Sequence, residues 1–489
     1  MAAEAGGGAL VTATDTAPPS APTATLLADL SALIGDESVI TDPDIVASYA
    51  RDQSRFTPFA TPAGLLIPRS TEQISECLAA AHRLGVPVIP RGAGSGLSGA
   101  ANATSDSVIL SLHRMDRILE IDTANRLVVV QPGVVTGTLR AAVAAAGLYY
   151  PPDPGSVESC TIGGNIATNA GGLCCVKYGV TGDFVLELEV VLADGRILRT
   201  GHRTVKGVAG YDLTRLFVGS EGTLGVVTQA VLRLVPAPRR AHTLVASFAA
   251  LTAAGQAVIG IVTEGLTPSM LEILDRTTVQ AVDAMAKMGL GKDVDALVMV
   301  QSDDPDAAAV LARIEQLCTD AGAADIATSD DPEEGAMLLE ARRLALPALE
   351  RLGDWLLDDV CVPRTKITEL ITAIEDVAAR RGLTIGVFGH AGDGNLHPTV
   401  IYNEHDPSSR QAARDAFDDI TRAALDLGGT VTGEHGVGQL KKSWLAAEQG
   451  TVGIDIHRQI KTALDPRRIL NPTALFDPDA HLHECSRVP

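Results

Sequence analysis

The chain has 489 residues, is 46% hydrophobic and only 3% aromatic, and carries a formal net charge of −21. That length suits two or three domains with sizeable cores, and the acidic balance argues against nucleic acid or an anionic membrane as partner. The seven cysteines (Cys77, Cys160, Cys174, Cys175, Cys318, Cys361 and Cys485) form no C-x-x-C pair, so a disulfide framework, zinc ribbon or iron–sulfur cluster is not expected and reduced thiols in a cytoplasm are.

Residues 1–25 are rich in Ala, Gly, Thr and Pro, with neither the basic start nor the apolar block of a secretory leader. They are expected to be a disordered tail. No uncharged apolar run reaches the 18 residues a membrane span needs. Thr71–Leu84 has helical spacing of Ile74, Leu78, Ala81 and Leu84, with Thr71 as a candidate cap. Strands are expected at Val86–Ile89, Val108–Leu112 and Leu127–Val130, then a helix at Thr138–Ala146. Val185–Leu192 and Arg196–Thr200 flank Asp194-Gly195 and read as a hairpin. A strong strand, Gly225–Leu234, ends at Pro236 and Pro238, and the texture changes there, placing a domain boundary near 236–242.

Beyond it, helices are expected at Ala249–Glu264, Asp306–Ala321, Glu333–Leu352, Thr365–Arg381 and Ser408–Leu427. Strands are expected at Leu297–Gln301, Ile385–His390 and Leu396–Tyr402. Asp465–Pro472 holds two prolines and ends the fold without a helix.

Three glycine-rich segments carry the functional signal. Pro90-Arg-Gly-Ala-Gly-Ser-Gly-Leu-Ser-Gly-Ala100 has Gly92, Gly94, Gly96 and Gly99 within eight positions, a density that lets successive N–H groups face a phosphate. Gly94–Gly99 matches G-x-G-x-x-G, yet that fingerprint requires a following helix. The next residues are a turn-rich run and then a strand, so a phosphate loop between strands fits better than a dinucleotide fold or an empty hairpin. Cys160–Gly172 packs four Gly, two Asn and two Thr into thirteen residues, and Gly219-Ser-Glu-Gly-Thr-Leu-Gly225 leads into the long apolar strand. Together they point to a large, extended, phosphate-bearing ligand.

These motifs, with Pro151-Pro-Asp-Pro154, resemble the FAD-binding domain of the vanillyl-alcohol oxidase (p-cresol methylhydroxylase type) superfamily. The C-terminal motifs below resemble its D-lactate dehydrogenase and glycolate oxidase D-subunit branch. The resemblance spans roughly residues 30–475. It implies an α+β fold: an FAD-binding domain of two α+β subdomains (26–238), a substrate or cap domain with an antiparallel sheet and helices that carries a metal site (239–460), and a C-terminal segment returning to the FAD domain (461–489). It implies that Pro90, Arg91, Gly92, Ala93, Gly94, Ser95, Gly96, Leu97 and Ser98 hold the FAD pyrophosphate. Pro132, Gly133, Pro152, Asp153, Ser156, Gly163, Gly164, Thr168, Gly171, Gly172, Tyr178 and Gly179 would line the cofactor. Glu221, Gly222 and Val226 would sit toward the adenine, and Asn471 would join them. Some relatives tether FAD through a His in the first loop; position 95 here is Ser, and Cys160, where a few relatives carry a second tether, reads as a buried thiol. Non-covalent FAD is expected.

Gly389-His-Ala-Gly-Asp-Gly-Asn-Leu-His397 lies between two apolar strands, and its Asp393-Gly394 turn is expected to set His390 opposite His397. Gly433-Glu-His-Gly-Val-Gly438 exposes Glu434 and His435 on a tight loop. Two imidazoles and a carboxylate suit Zn, Mn or Fe as a divalent ion. The resemblance assigns His390, His397 and Glu434 as ligands, His435 as catalytic base and Arg342 as the holder of a substrate carboxylate. Relatives acting on D-2-hydroxyglutarate carry Thr and Lys where this chain aligns Leu346 and Leu357, which favours a small or apolar side chain.

The expected activity is FAD-dependent oxidation of a small D-2-hydroxyacid, D-lactate before glycolate, to the 2-oxoacid. The electron acceptor would be a quinone, cytochrome or electron-transfer protein, and the setting cytoplasmic or peripheral at the inner membrane face, with a homodimer open. Two alternatives stay open: a glycolate oxidase D-type subunit active only within a larger complex, and a metal-dependent hydrolase built on the same His and Glu residues.

Overall fold

The computed structural model describes residues 18–476. Most of the N-terminal tail and Cys485 lie outside them. Ordered structure starts earlier than expected, because Ala21–Ile34 is a helix capped by Ser20. The helix expected from Thr71 begins there, but its cap is Ser70, whose side chain accepts from the Gln73 N–H.

The N-terminal half holds two larger sheets and a two-stranded one of Leu148–Tyr149 and Val235–Pro236. The first has four strands in the order Val39–Ile40, Gly64–Leu66, Val108–Ser111, Val88–Arg91. Val88–Arg91 pairs with Val108–Ser111 in parallel, so the glycine-rich segment between them is no hairpin. Residues 92–107 serve as the crossover that a parallel pair requires, without a helix. The second sheet is antiparallel: Ile118–Asp122, Leu127–Val130, Val226–Arg233, Val185–Val191, Ile197–Gly201. Its last two strands form the hairpin that Asp194-Gly195 encodes.

The C-terminal half is built on one eight-stranded sheet whose strand pairs are antiparallel. Side chains alternate across it, as period 2 demands. Ile273, Val298 and Val300 enter a core with the helices Leu251–Thr263, Ala307–Asp320, Ile367–Arg381 and Pro407–Asp426. Met270, Leu274, Met299 and Phe388 face the other way, against Arg276–Ala286, Ala345–Glu350 and the side chains of Leu97 and Leu173 from the N-terminal half. Three polar residues, Glu272, His390 and His397, lie on this second face.

The helix expected over 333–352 is three short ones, Pro332–Leu338, Glu340–Arg343 and Ala345–Glu350. Pro347 tolerates only the first turn of a helix, since its ring clashes with the carbonyl four residues back. A long helix, Lys442–Leu464, escaped the sequence reading and kinks at Gly450. It runs through the boundary placed at 460. Its buried Lys461 donates to the carbonyls of Thr223 and Leu470 and to Asp465, and Leu470 then lies beside Val88 as a parallel bridge. Among the described residues no helix is long and apolar enough to cross a membrane, and the six described cysteines are free thiols.

Candidate active site

A cavity of about 760 Å³ separates the N-terminal glycine-rich loops from the polar face of the large sheet. That size suits a cofactor with a small substrate beside it. Pro90–Ser98 forms one wall. Gly94 sits at φ +74, and a Cβ there would stand 2.0 Å from Nη2 of Arg91, so only glycine lets that guanidinium fold beneath its own loop. Arg91 is buried over the Tyr49 ring, 5.6 Å from its centre. Arg91 Nη1, Asp52 Oδ2 and Asn471 Oδ1 are buried, belong to cavity-lining residues and have no protein partner. Buried polar atoms are rarely left so, and a phosphate- and hydroxyl-rich cofactor fits them.

The same cavity is lined by Ser156, Gly163, Gly164, Thr168, Gly172, Glu221, Gly222, Val226 and Asn471. The second glycine-rich segment is not a loop throughout, because Ile162–Thr168 is a short helix capped by Thr161. Seven expected cofactor residues are not on the cavity wall. Pro132 and Gly133 form a packing turn: the Pro132 carbonyl accepts from Gly163 N, and a Cβ on Gly133 would strike the Leu112 carbonyl at 2.4 Å. Pro152 precedes Asp153, whose carboxylate takes the Cys174 N–H and thiol and lies 3.7 Å from Arg140. Tyr178 donates to Asp303 at 2.5 Å, and Gly179 packs on Asp183. Gly171 abuts Glu434: a Cβ there would lie 2.5 Å from its Oε2.

Glu221, on the cavity wall, has its carboxylate engaged by the protein. Its carboxylate accepts the N–H groups of Val437 and Gly438, while its backbone carbonyl accepts from Asn471. The segment Gly433–Gly438 is thereby fixed to the N-terminal half. Ser98 adds to this, donating through Oγ to the His435 carbonyl at 3.2 Å and accepting from Gln439 N and Leu440 N.

His390 and His397 converge as expected, but in a different register. His390 pairs with Asn395, and His397 with Phe388. The two histidines are diagonal neighbours on one face, a spacing that long side chains bridge. Their Nε2 atoms lie 3.4 Å apart, and each lies 3.2 Å from Glu434 Oε1. A tetrahedral ion with bonds of about 2.0–2.1 Å sets its ligands about 3.3–3.4 Å apart. The triangle therefore fits a divalent ion without rearrangement. His435 stacks on His397 with ring centres 5.0 Å apart, and its side chain remains partly open to the cavity.

Two residues that sequence reading missed hold this group. Glu272, fully buried, accepts from His390 Nδ1 at 2.7 Å and from Arg342 Nε at 2.6 Å. Asp359 gathers the loop of Thr432–His435: Oδ2 accepts from the N–H groups of Gly433, Glu434 and His435 and from the Thr432 hydroxyl. Its Oδ1 accepts from Asn395. The available signals were Glu272 amid the apolar run Met270–Leu274 and the acid pair Asp358-Asp359 after Trp355-Leu-Leu357.

Burial works against every charge here, and the neighbours decide the outcome. Burial lowers the His390 pKa, but the carboxylates of Glu272 and Glu434 outweigh it and hold the imidazole well above its usual value. For His397 burial prevails and brings it to about 4, so it is neutral. Burial raises the Glu434 pKa, yet His390 and His397 hold it well below the usual carboxylate range. Asp359 is likewise lowered against burial, by His435, Lys441 and His397. A cation in the triangle would take the place of the proton between His390 and Glu434.

Two families match the chain. One, described as FAD binding domain, matches residues 62–201, and the other, FAD linked oxidases, C-terminal domain, matches residues 237–475. The glycolate oxidase subunit GlcD of Bacillus subtilis is 45% identical over 422 residues, covering 86% of this chain and 90% of that protein. A D-lactate dehydrogenase of Archaeoglobus fulgidus is 36% identical over 406 residues, covering 83% of this chain and 89% of its own length. In fold the chain is similar to p-cresol methylhydroxylase with substrate bound, at a TM-score of 0.79 and 17% identity, covering 95% of this chain and 99% of that one.

Proposed function

The chain belongs to the FAD-linked oxidases, and on that premise we propose that it oxidises a small D-2-hydroxyacid, D-lactate before glycolate, to the 2-oxoacid. The observation that carries this reading is a convergence on one cavity. The glycine-rich loops form one wall, and Arg342, the His390–His397–Glu434 triangle and the ring of His435 line the same cavity.

FAD held by the Pro90–Ser98 loop and the segments around Gly163 and Gly222 would supply a two-electron acceptor. A divalent ion, if held by His390, His397 and Glu434, would supply Lewis acidity. Arg342 binds the substrate carboxylate. Its Nε is engaged by Glu272, which leaves the two terminal nitrogens for a forked contact. His435 takes the C2 hydroxyl proton on its cavity-facing ring. Leu346, Pro347, Leu357 and Phe388 line the cavity near Arg342 and offer an apolar surface to the substrate side chain. Arg343, a second cation at the rim, is paired with Glu340 at 3.0 Å. With Ser at position 95 and Cys160 buried beside Thr136, the FAD is held without a covalent tether. The electrons leave to a quinone, cytochrome or electron-transfer protein.

The test is anaerobic mixing of the purified yellow protein with D-lactate, L-lactate, glycolate and D-2-hydroxyglutarate while following the flavin's visible band. Rapid bleaching by D-lactate or glycolate, lost with a chelator, is the expected result. A yellow protein bleached by none of the four overturns the substrate assignment. A second reading, a catalytic subunit that turns over only with partner chains, is favoured by the similarity to a protein named as a subunit. Dye-linked turnover by the isolated chain would exclude it.

A further inference from the structure

Glu272 stands on the strand Met270–Asp275 with no exposed surface. Its two oxygens serve two different functional residues. Oε1 accepts the Nδ1–H of His390 at 2.7 Å, and Oε2 accepts the Nε–H of Arg342 at 2.6 Å. The Arg342 guanidinium also lies over the Phe388 ring, 4.9 Å from its centre. A buried carboxylate is costly unless each oxygen is matched by a donor, and here both donors come from groups that face the cavity.

We propose that Glu272 is a positioning residue that joins the substrate-carboxylate receptor to the metal site, so that each senses the state of the other. This rests on the reading above, in which His390 ligates a divalent ion and Arg342 holds the substrate. By accepting from Nδ1, Glu272 fixes the tautomer of His390 with its Nε2 lone pair toward the triangle, and it raises the basicity of that ligand. By accepting from Nε, it fixes the plane of the guanidinium. One carboxylate serves both, so charge drawn by Arg342 is withheld from His390. An anion neutralising Arg342 returns that charge to His390, and the metal is held more tightly while substrate is bound. By reciprocity the metal-loaded protein binds the carboxylate better.

The experiment is the rate of zinc release from the zinc-loaded, FAD-containing protein into a chelator, for Glu272→Gln, Arg342→Met and the double variant. Flavin absorbance and melting temperature are the controls for folding. Gln cannot accept from both donors at once, and E272Q is expected to release zinc about 10–100-fold faster with its flavin retained. R342M is expected to release it more slowly than wild type, whereas general loosening of the site would speed release. In the E272Q background the effect of R342M should shrink to less than about twofold, because the route is gone. Equal effects of R342M in both backgrounds, or a wild-type release rate in E272Q, would overturn the proposal. If E272Q does not fold, the sign of the R342M change decides. A wild-type protein that retains no zinc overturns both this proposal and the metal reading. Zinc retained without flavin reduction by any hydroxyacid overturns only the activity.

Discussion

The carboxylate of Glu221 accepts the backbone N–H groups of Val437 at 2.7 Å and Gly438 at 2.9 Å, tying the flavin half of the chain to the loop that carries Glu434 and His435. Burial raises the Glu221 pKa to about 7, against the pull of those two N–H groups. A carboxyl whose folded pKa is raised contributes stability that is complete below its unfolded pKa and is lost as pH rises through the folded one. Unfolding free energy should therefore fall by about 3 kcal/mol between pH 4.5 and pH 7 on account of this group. Glu221→Gln should flatten that part of the stability profile in denaturant titrations while the protein keeps its FAD. Loss of FAD in E221Q would return Glu221 to the nucleotide.

His435 lies in the cavity beside the triangle without belonging to it. His435→Ala is expected to lower kcat by about 10²–10⁴-fold with flavin and metal contents unchanged. Chelation is expected to remove activity and metal together and leave the protein yellow. Stopped-flow flavin reduction and metal analysis on one preparation check both, and metal loss in H435A would make that residue a ligand.

Gly171 packs against Glu434, the carboxylate of the proposed metal triangle. A Cβ there would press on Glu434 Oε2 at 2.5 Å. Gly171→Ala should therefore weaken metal affinity by about tenfold or more, the order expected when a ligand is displaced, without changing flavin content. Competition with a chromogenic chelator measures it.

Leu346 lines the cavity close to Arg342. Leu346→Ala should raise kcat/KM for D-2-hydroxyacids with longer apolar side chains, relative to D-lactate, by about 10–200-fold per accommodated methylene at most. An unchanged preference across a series of chain lengths would place the substrate side chain elsewhere.

Much of the site was legible in the sequence because chemistry of this kind demands unusual composition. Glycine density marked the three segments that line the cavity, and the glycine-rich stretches Gly389–His397 and Gly433–Gly438 marked the His390–His397–Glu434 triangle, since backbone that approaches a ligand closely has no room for a Cβ. Local pattern also gave the Asp194-Gly195 hairpin and the helix from Thr71. It could not give pairing between distant strands. The parallel alignment of Val88 with Val108, and the register that sets His390 against Asn395 instead of His397, follow from which partner each strand finds. Nor could it show that Glu272 serves His390, 118 positions away, or that Asp359 and Glu221 share the amides of one loop from opposite halves of the molecule. A buried carboxylate declares its role only through its donors, which reach Glu272 and Asp359 through strand pairing and loop packing within the C-terminal half, and Glu221 through the packing of the two halves against each other.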